Sequence, residues 1–264
     1  MKRRWKRCLA GAMLAAMLVV GTACSVEETT GTSNEGELEM TEMVRDALTL
    51  AGADMEQFNE DEPKASEQRL MEAAAWLEKT LARKYPGTAF QMTACVRRGL
   101  NQEYDQFTLE PEGRPEESFT ARVWSEEDGF RCTDSYYGVA KTADYEAWLK
   151  EKLSAAEPDA RIFSTIDFQF SEECGADMPI GEGARQPEFF AYTWILLADN
   201  GGAFAERTAA LWKIMEDENL SGDFAVYLMA EDPGEMSKEE AFRLIPSHSA
   251  AQPVYSDMDR LIRR

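Results

Sequence analysis

The chain has 264 residues, with 28 Lys and Arg against 49 Asp and Glu, and a formal net charge of −21 at pH 7. Such an excess of acids repels nucleic acid and anionic lipid headgroups, so the sequence disfavours a function in binding either. The chain holds one histidine and no C-x-x-C spacing, which counts against the usual zinc sites. Its length allows one large or two small domains with buried cores.

The first 23 residues show the pattern of an export signal. Five cations precede a run from Cys8 to Ala23 that contains no acid. A positive start followed by an apolar stretch and small residues is typical of a secretory signal. The apolar run has about 16 residues, fewer than the about 20 that a membrane-spanning helix needs. The sequence therefore predicts a signal peptide over residues 1–23.

The segment Val20-Gly21-Thr22-Ala23-Cys24 resembles the lipobox of bacterial lipoproteins, with Gly21 at the position where leucine is usual. The resemblance implies that Cys24 receives a diacylglycerol group and becomes the first residue of the mature chain. The protein would then be lipid-anchored at the extracytoplasmic face of the cell membrane. The alternative is cleavage by ordinary signal peptidase after Ala23, followed by secretion.

Residues 24–36 are rich in Ser, Thr, Gly and Glu and cannot bury enough apolar surface to fold, so a flexible tether is predicted there. Loss of the five cations in residues 1–23 leaves 23 Lys and Arg against 49 acids, a formal charge of −26 for the mature chain. No calcium-binding loop accompanies these acids. We therefore expect an acidic surface that keeps an exported domain soluble.

Residues 37–141 are predicted to form a first module of helices and sheet. Apolar residues recur at helical spacing over residues 70–81, and period-two runs follow over residues 90–132. Turns that contain Gly or Pro separate these runs, which indicates an antiparallel meander with a helix packed on one face. The arrangement resembles small helix-on-sheet modules of the cystatin-like kind, and this resemblance implies a fold but no activity.

Residues 142–236 are predicted to form a second module of helices and strands, which opens with a helix capped by Thr142. Ala75-Trp76-Leu77 recurs 72 residues later as Ala147-Trp148-Leu149, which raises the hypothesis of two tandem helix-then-strands modules. Residues 237–264 are expected to form a short helix and a loosely held tail. The predicted fold class is therefore α+β, with helices packed on antiparallel sheets.

Two of the cysteines in the predicted mature chain fall in predicted strands of the first module. Cys95 and Cys132 are the best candidates for a disulfide in an oxidising compartment. The alternative is two buried free thiols, which pack as small apolar side chains. Register cannot be deduced from the sequence, so both interpretations stay open at this stage.

The sequence contains no catalytic signature and predicts no cofactor and no metal. The single histidine, His248, lies in a polar segment near the end of the chain, which disfavours a Ser-His-acid triad. Phe190, Tyr192 and Trp194 would share one face of a predicted strand and could form a platform for a sugar, a peptide or a partner protein. The alternative is that a helix covers these rings.

These patterns favour a non-catalytic binding or interaction module at the cell envelope, rather than an enzyme. Its expected partners are the membrane, through the lipid anchor, and an envelope protein, peptide or glycan. The alternative function is an envelope hydrolase that uses paired carboxylates. Acids are too abundant in this chain for the sequence to identify such a pair.

Overall fold

The order of helices and strands is known from a computed structural model, which describes residues 39–56, 58, 63–230, 232–234, 236–247 and 253–261. The predicted signal peptide, Cys24, the tether and His248 lie outside these residues. The described part contains six α-helices and two four-stranded sheets. This confirms the predicted α+β class.

The first sheet is an antiparallel meander in the order β1-β2-β3-β4. Its helices and strands are α1 (Glu42–Leu50), α2 (Ala65–Lys84), β1 (Phe90–Val96), β2 (Tyr104–Pro111), a 3-10 turn (Pro115–Glu117), β3 (Phe119–Glu126) and β4 (Gly129–Asp134). Alternate residues of the strands, such as Phe107 and Val123, are buried with the apolar side of α2. The helices cover this inner face because its side chains are apolar.

A bulge in β1 decides the direction in which Cys95 points. The register between β1 and β2 shifts between Met92 and Ala94, so Thr93 has no opposite residue. Met92 and Cys95 therefore both pack toward the core, although three positions separate them. A strictly alternating strand would have placed Ala94 on that side.

The predicted Cys95–Cys132 disulfide is wrong. Both residues are free thiols, and they lie on β1 and β4, the two opposite edges of the sheet. Three strand spacings separate these edges, a distance of about 14 Å. A disulfide needs Cα atoms within about 7 Å, so no side-chain rotation can close this gap.

The second sheet has the order β5-β6-β7-β8, in which β6 and β7 are parallel and the other pairs are antiparallel. Its elements are α3 (Tyr136–Leu153), β5 (Arg161–Ile166), α4 (Ile180–Gly183), β6 (Ala191–Ala198), α5 (Phe204–Asp217), β7 (Gly222–Met229), α6 (Lys238–Ser247) and β8 (Pro253–Leu261). A parallel pair needs a crossover connection, which α5 supplies. The strand β8 lies in the tail that we expected to be loosely held.

The helix α3 begins six residues before the predicted cap at Thr142. Its first turn contains Tyr136 and Tyr137, which are buried in the core, and the Thr142 hydroxyl donates to the carbonyl of Gly138 inside the helix. A Cβ at Gly138 would lie 2.6 Å from the carbonyl oxygen of Ile166. Glycine therefore lets this first turn pass directly against the end of β5.

The two sheets share one continuous apolar core, which runs from Met43 on α1 to Leu228 on β7. Their connectivity differs, since the first is a meander and the second contains a parallel crossover. The Trp76 and Trp148 segments do both lie on helices, α2 and α3. The sequence similarity of these helices is thus not accompanied by the same order of strands.

Candidate functional site

The outer face of the first sheet carries a cluster of aromatic and arginine side chains. On β2 and β3 the residues between the buried ones are half-buried rather than covered, because α1 and α2 pack only on the inner face. Register places Tyr104 opposite Trp124, and Gln106 opposite Arg122. On the next strand, Arg131 lies opposite Trp124. We call these five residues the open face.

The side chains of the open face stack in one series. The guanidinium carbon of Arg122 lies 4.9 Å from the ring centroid of Tyr104. The rings of Tyr104 and Trp124 follow at 5.0 Å, and the guanidinium carbon of Arg131 lies 4.0 Å from the Trp124 ring. Each contact is within the range of a cation–π or ring–ring attraction, so the four groups hold one another in place.

The two arginines of the open face differ in how their charge is balanced. Arg131 donates from Nε to the Glu126 carboxylate at 2.9 Å. The side chain of Arg122 forms no ion pair and no hydrogen bond with the described residues, and its buried Nε finds no acceptor among them. Of the two arginines of the open face, Arg122 is therefore the one whose N–H donors have no acceptor among the described residues.

Hydroxyl and amide groups surround Arg122. Gln106 on β2 and Thr133 on β4 lie opposite it in the register. At one corner of the face, Gln169 donates to the Thr120 hydroxyl and accepts from that of Thr133. The groups that the register and these hydrogen bonds place around Arg122 are thus hydroxyls and amides.

The predicted ring platform lies on the second sheet and is partly covered. Tyr192 is 47% exposed, and its ring lies 5.4 Å from that of Phe190. Trp194 is half-buried and packs 6.4 Å from the ring of Tyr227. Trp194 and Tyr227 belong to a small cluster of apolar side chains that includes the buried Ala241 of α6. A helix therefore packs on the side of the second sheet where Trp194 lies.

A groove with a volume of about 370 Å³ lies between α1, α2 and β1. Four carboxylates line it, those of Glu42, Asp46, Glu78 and Glu112, over apolar side chains. Glu78 accepts a hydrogen bond of 2.6 Å from the Thr41 hydroxyl. Burial raises the pKa of the Asp46 carboxyl, with a further rise from the charge of Glu42 and an opposing effect of Arg45.

The long connection between β5 and β6 is hydrogen-bonded to α2 and β4. Glu172 accepts hydrogen bonds from the indole of Trp76 (3.3 Å), the guanidinium of Arg83 (2.6 Å) and the backbone N–H of Cys132 (3.1 Å). The backbone N–H of Ala176 donates to the carbonyl of Lys84. These contacts fix this part of the connection against α2 and β4.

No group of three or more His, Cys, Asp or Glu side chains in the described ranges is arranged to hold a metal ion. Within the same ranges, no helix combines the length and the apolar character needed to cross a bilayer.

The sequence interpretation missed the open face and selected the rings on β6 instead. A signal was present, since Tyr104, Arg122 and Trp124 occupy positions of strands β2 and β3 that alternate with core residues. The solvent-facing positions of an antiparallel sheet usually carry polar side chains, so two rings beside an arginine there are informative. Whether these side chains contact one another depends on the register between the strands, which a single sequence does not reveal.

No protein-family model matches the chain, and no curated protein matches it. Among solved structures, the chain is similar to a DUF5037 family protein from Ruminococcus gnavus ATCC 29149, with 13% sequence identity and a TM-score of 0.32. The similarity covers 58% of this chain and 73% of that one. At this level the likeness carries no conclusion about function.

Proposed function

We propose that this protein is a lipid-anchored, non-catalytic binding module at the extracytoplasmic face of the cell membrane, and that the open face is its binding surface. Cys24 is the anchor in this proposal, and residues 24–36 act as the tether. The observation that carries the proposal is the stacked series from Arg122 to Arg131 on a sheet face that α1 and α2 leave uncovered.

Three properties of the open face support a role in binding. Arg, Tyr and Trp are the residue types that dominate binding energy at interfaces. The stacking contacts limit the motion of the four side chains before a ligand arrives, which lowers the entropy lost on binding. Arg122 also lacks a carboxylate partner among the described residues, so a ligand can supply one.

The location is tested by replacing the cysteine that would carry the lipid. Cys24→Ser should move the protein from the membrane fraction to the medium, measured by fractionation and immunoblotting. Cys8→Ser is the matched control, because this cysteine lies within the predicted signal peptide, and it should leave the protein in the membrane fraction. Unchanged partition of the Cys24→Ser variant would exclude the lipid anchor.

The binding surface is tested with the released Cys24→Ser protein and isolated cell envelopes in a sedimentation assay. Arg122→Gln and Trp124→Ala should each weaken binding by about tenfold, since each removes a charge-assisted or aromatic contact. Tyr192→Ala, on the second sheet, is the control and should bind like the parent. Loss of binding in the control alone would transfer the binding site to the rings on β6.

A hydrolase that uses paired carboxylates is the second candidate function. The acidic groove favours it, because Asp46 has a raised pKa and lies among three other carboxylates. Such a pair could divide the roles of general acid and base. Turnover of glycoside or peptide substrates that disappears in both Asp46→Asn and Glu78→Gln would replace the binding proposal by this one.

A further inference from the structure

We propose that the open face binds a short oligosaccharide that carries one carboxylate, with Arg122 as the residue that binds the carboxylate. This inference rests on the proposed binding function and names the chemistry of the ligand. It follows from the unmatched donors of Arg122, the two rings beside it and the polar side chains around them.

The contact with Tyr104 limits the motion of the Arg122 guanidinium. Its Nε is buried, so the terminal Nη groups are the donors that can reach a ligand. A guanidinium is planar and presents parallel N–H groups that match the two oxygens of a carboxylate. Arg131 is less suited to this role, because Glu126 accepts from its Nε and carries a charge that repels a second carboxylate. A ligand carboxylate would therefore be drawn to Arg122 in preference to Arg131.

The rings of Tyr104 and Trp124 lie next to this guanidinium and could contact the apolar C–H groups of a sugar ring. Gln106 and Thr133, on the flanking strands, could exchange hydrogen bonds with hydroxyl groups of the same ligand. One carboxylate, one ring with C–H faces and several hydroxyls are the features of an acidic pyranose. The open face presents a partner for each of them.

A protein partner fits this surface less well. Protein interfaces also use Arg, Tyr and Trp as anchors, but they surround these anchors with close-packed contacts that exclude water. Neither the acidic groove nor the second groove, which Lys84, Glu172 and Asp177 line, includes a residue of the open face. Next to the polar groups around Arg122, one exposed aliphatic side chain, Val96, lies opposite Gln106 at the sheet edge.

The net charge limits how many carboxylates the ligand can carry. The whole chain has a net charge of −21, so a polyanion is repelled as it approaches. A single carboxylate that contacts Arg122 experiences mainly the local field, because charges beyond about 8 Å are screened at physiological ionic strength. The same repulsion opposes docking of a second copy of this acidic chain.

The test is calorimetric titration of the detergent-solubilised full-length protein with trisaccharides that end in glucuronic, galacturonic or sialic acid. At least one should bind, and its methyl ester and its neutral analogue should bind about tenfold more weakly or worse, because they lose the charge-assisted bond. Arg122→Gln should reproduce this loss with the acidic sugar and leave the neutral analogue unaffected. Arg131→Gln is the matched control and should have the smaller effect.

Absence of binding by all three acidic sugars at about 10 mM would overturn the inference, as would equal affinity for acid and ester. Tighter binding of an acetylated peptide that contains Glu would overturn the choice of a sugar. If envelope sedimentation depends on Arg122 while these sugars do not bind, the inference fails and the proposed binding function stands. If sedimentation is independent of the open face, the proposed binding surface fails as well.

Discussion

Lys84 and Asp134 form an ion pair in the core, where their side chains are 1% and 0% exposed. The ammonium group also donates to the carbonyl of Ser171 at 2.8 Å, and Asp134 accepts from the hydroxyl of Tyr85 (2.8 Å). The N–H of Tyr136 is a further donor to Asp134. The pair thus joins the end of α2 to the end of β4 and to the long connection that follows β5.

Lys84→Met should lower the free energy of unfolding by about 3 kcal/mol or more, because it leaves the Asp134 carboxylate buried without its counter-ion. Chemical denaturation measures the change. The double variant with Asp134→Asn should recover part of the loss, since neither charge of the pair then remains. Lys213→Met breaks an exposed pair with Asp217 and should cost less than about 0.5 kcal/mol. Equal losses in the two lysine variants would contradict the role of the buried pair.

The pattern of the sequence predicted the helices and the meander because each has its own period. The residues 70–81 repeat at helical spacing, and the strands of the first sheet alternate. The buried charges were not foreseen, because Lys84 and Asp134 look like ordinary charged residues at the ends of a helix and a strand. Their partnership arises from tertiary packing between segments about 50 residues apart.

The cysteines should behave as free, slowly reacting thiols. Burial raises the pKa of the Cys95 thiol to about 12, with a further contribution from the charge of Asp105. Burial likewise raises the pKa of Cys132 well above its ordinary value. At pH 8 both should react with iodoacetamide far more slowly than glutathione does, because the thiolate is the reactive form.

Denaturation without a reducing agent should allow full alkylation of Cys95 and Cys132, which mass analysis of their peptides would show. In the native protein Cys95 should react first, because it is half-buried whereas Cys132 is buried. A linked Cys95–Cys132 peptide would contradict the position of these residues on opposite edges of the sheet.

Gly222 begins β7 directly beside Ala191 of β6, in the parallel pair. A Cβ at this glycine would lie 2.3 Å from the carbonyl oxygen of Ala191, a backbone atom held in the sheet. Gly222→Ala should therefore cost about 1–3 kcal/mol of stability, measured by thermal or chemical unfolding. Gly99→Ala is the control, since a Cβ at Gly99 meets no atom within 4 Å. A similar loss of stability in both variants would contradict the steric cause.

The candidate site was harder to predict than the fold. The rings at Phe190, Tyr192 and Trp194 stand out because they are close in sequence, whereas Tyr104 and Trp124 are 20 residues apart and meet through register alone. The direction in which the Cys95 side chain points could not be predicted either, because no sequence pattern marks the bulge at Thr93. In each case pairing between strands decides which side chains meet.

Glu146 and Lys238 form hydrogen bonds to the backbone of Ser164, on the side of the edge strand β5 that does not pair with β6. Glu146 accepts from the backbone N–H of Ser164 at 2.6 Å, and the ammonium of Lys238 donates to the carbonyl of the same residue. The two side chains also form an ion pair at 3.7 Å. They occupy backbone groups that could otherwise pair with a strand of another chain.

Glu146 should make the fold less stable as the pH rises, because burial raises its pKa in the folded protein despite the opposing bonds from Ser164 and Lys238. The folded state then binds the proton more tightly than the unfolded chain does. The stabilising contribution is full below the unfolded pKa of about 4.3 and is lost as the pH passes the raised folded value. Glu146→Gln should remove this part of the dependence in thermal unfolding measured between pH 4 and 7. Glu151→Gln, on the exposed side of the same helix, should keep it, and parallel curves for parent and Glu146→Gln would contradict the assignment.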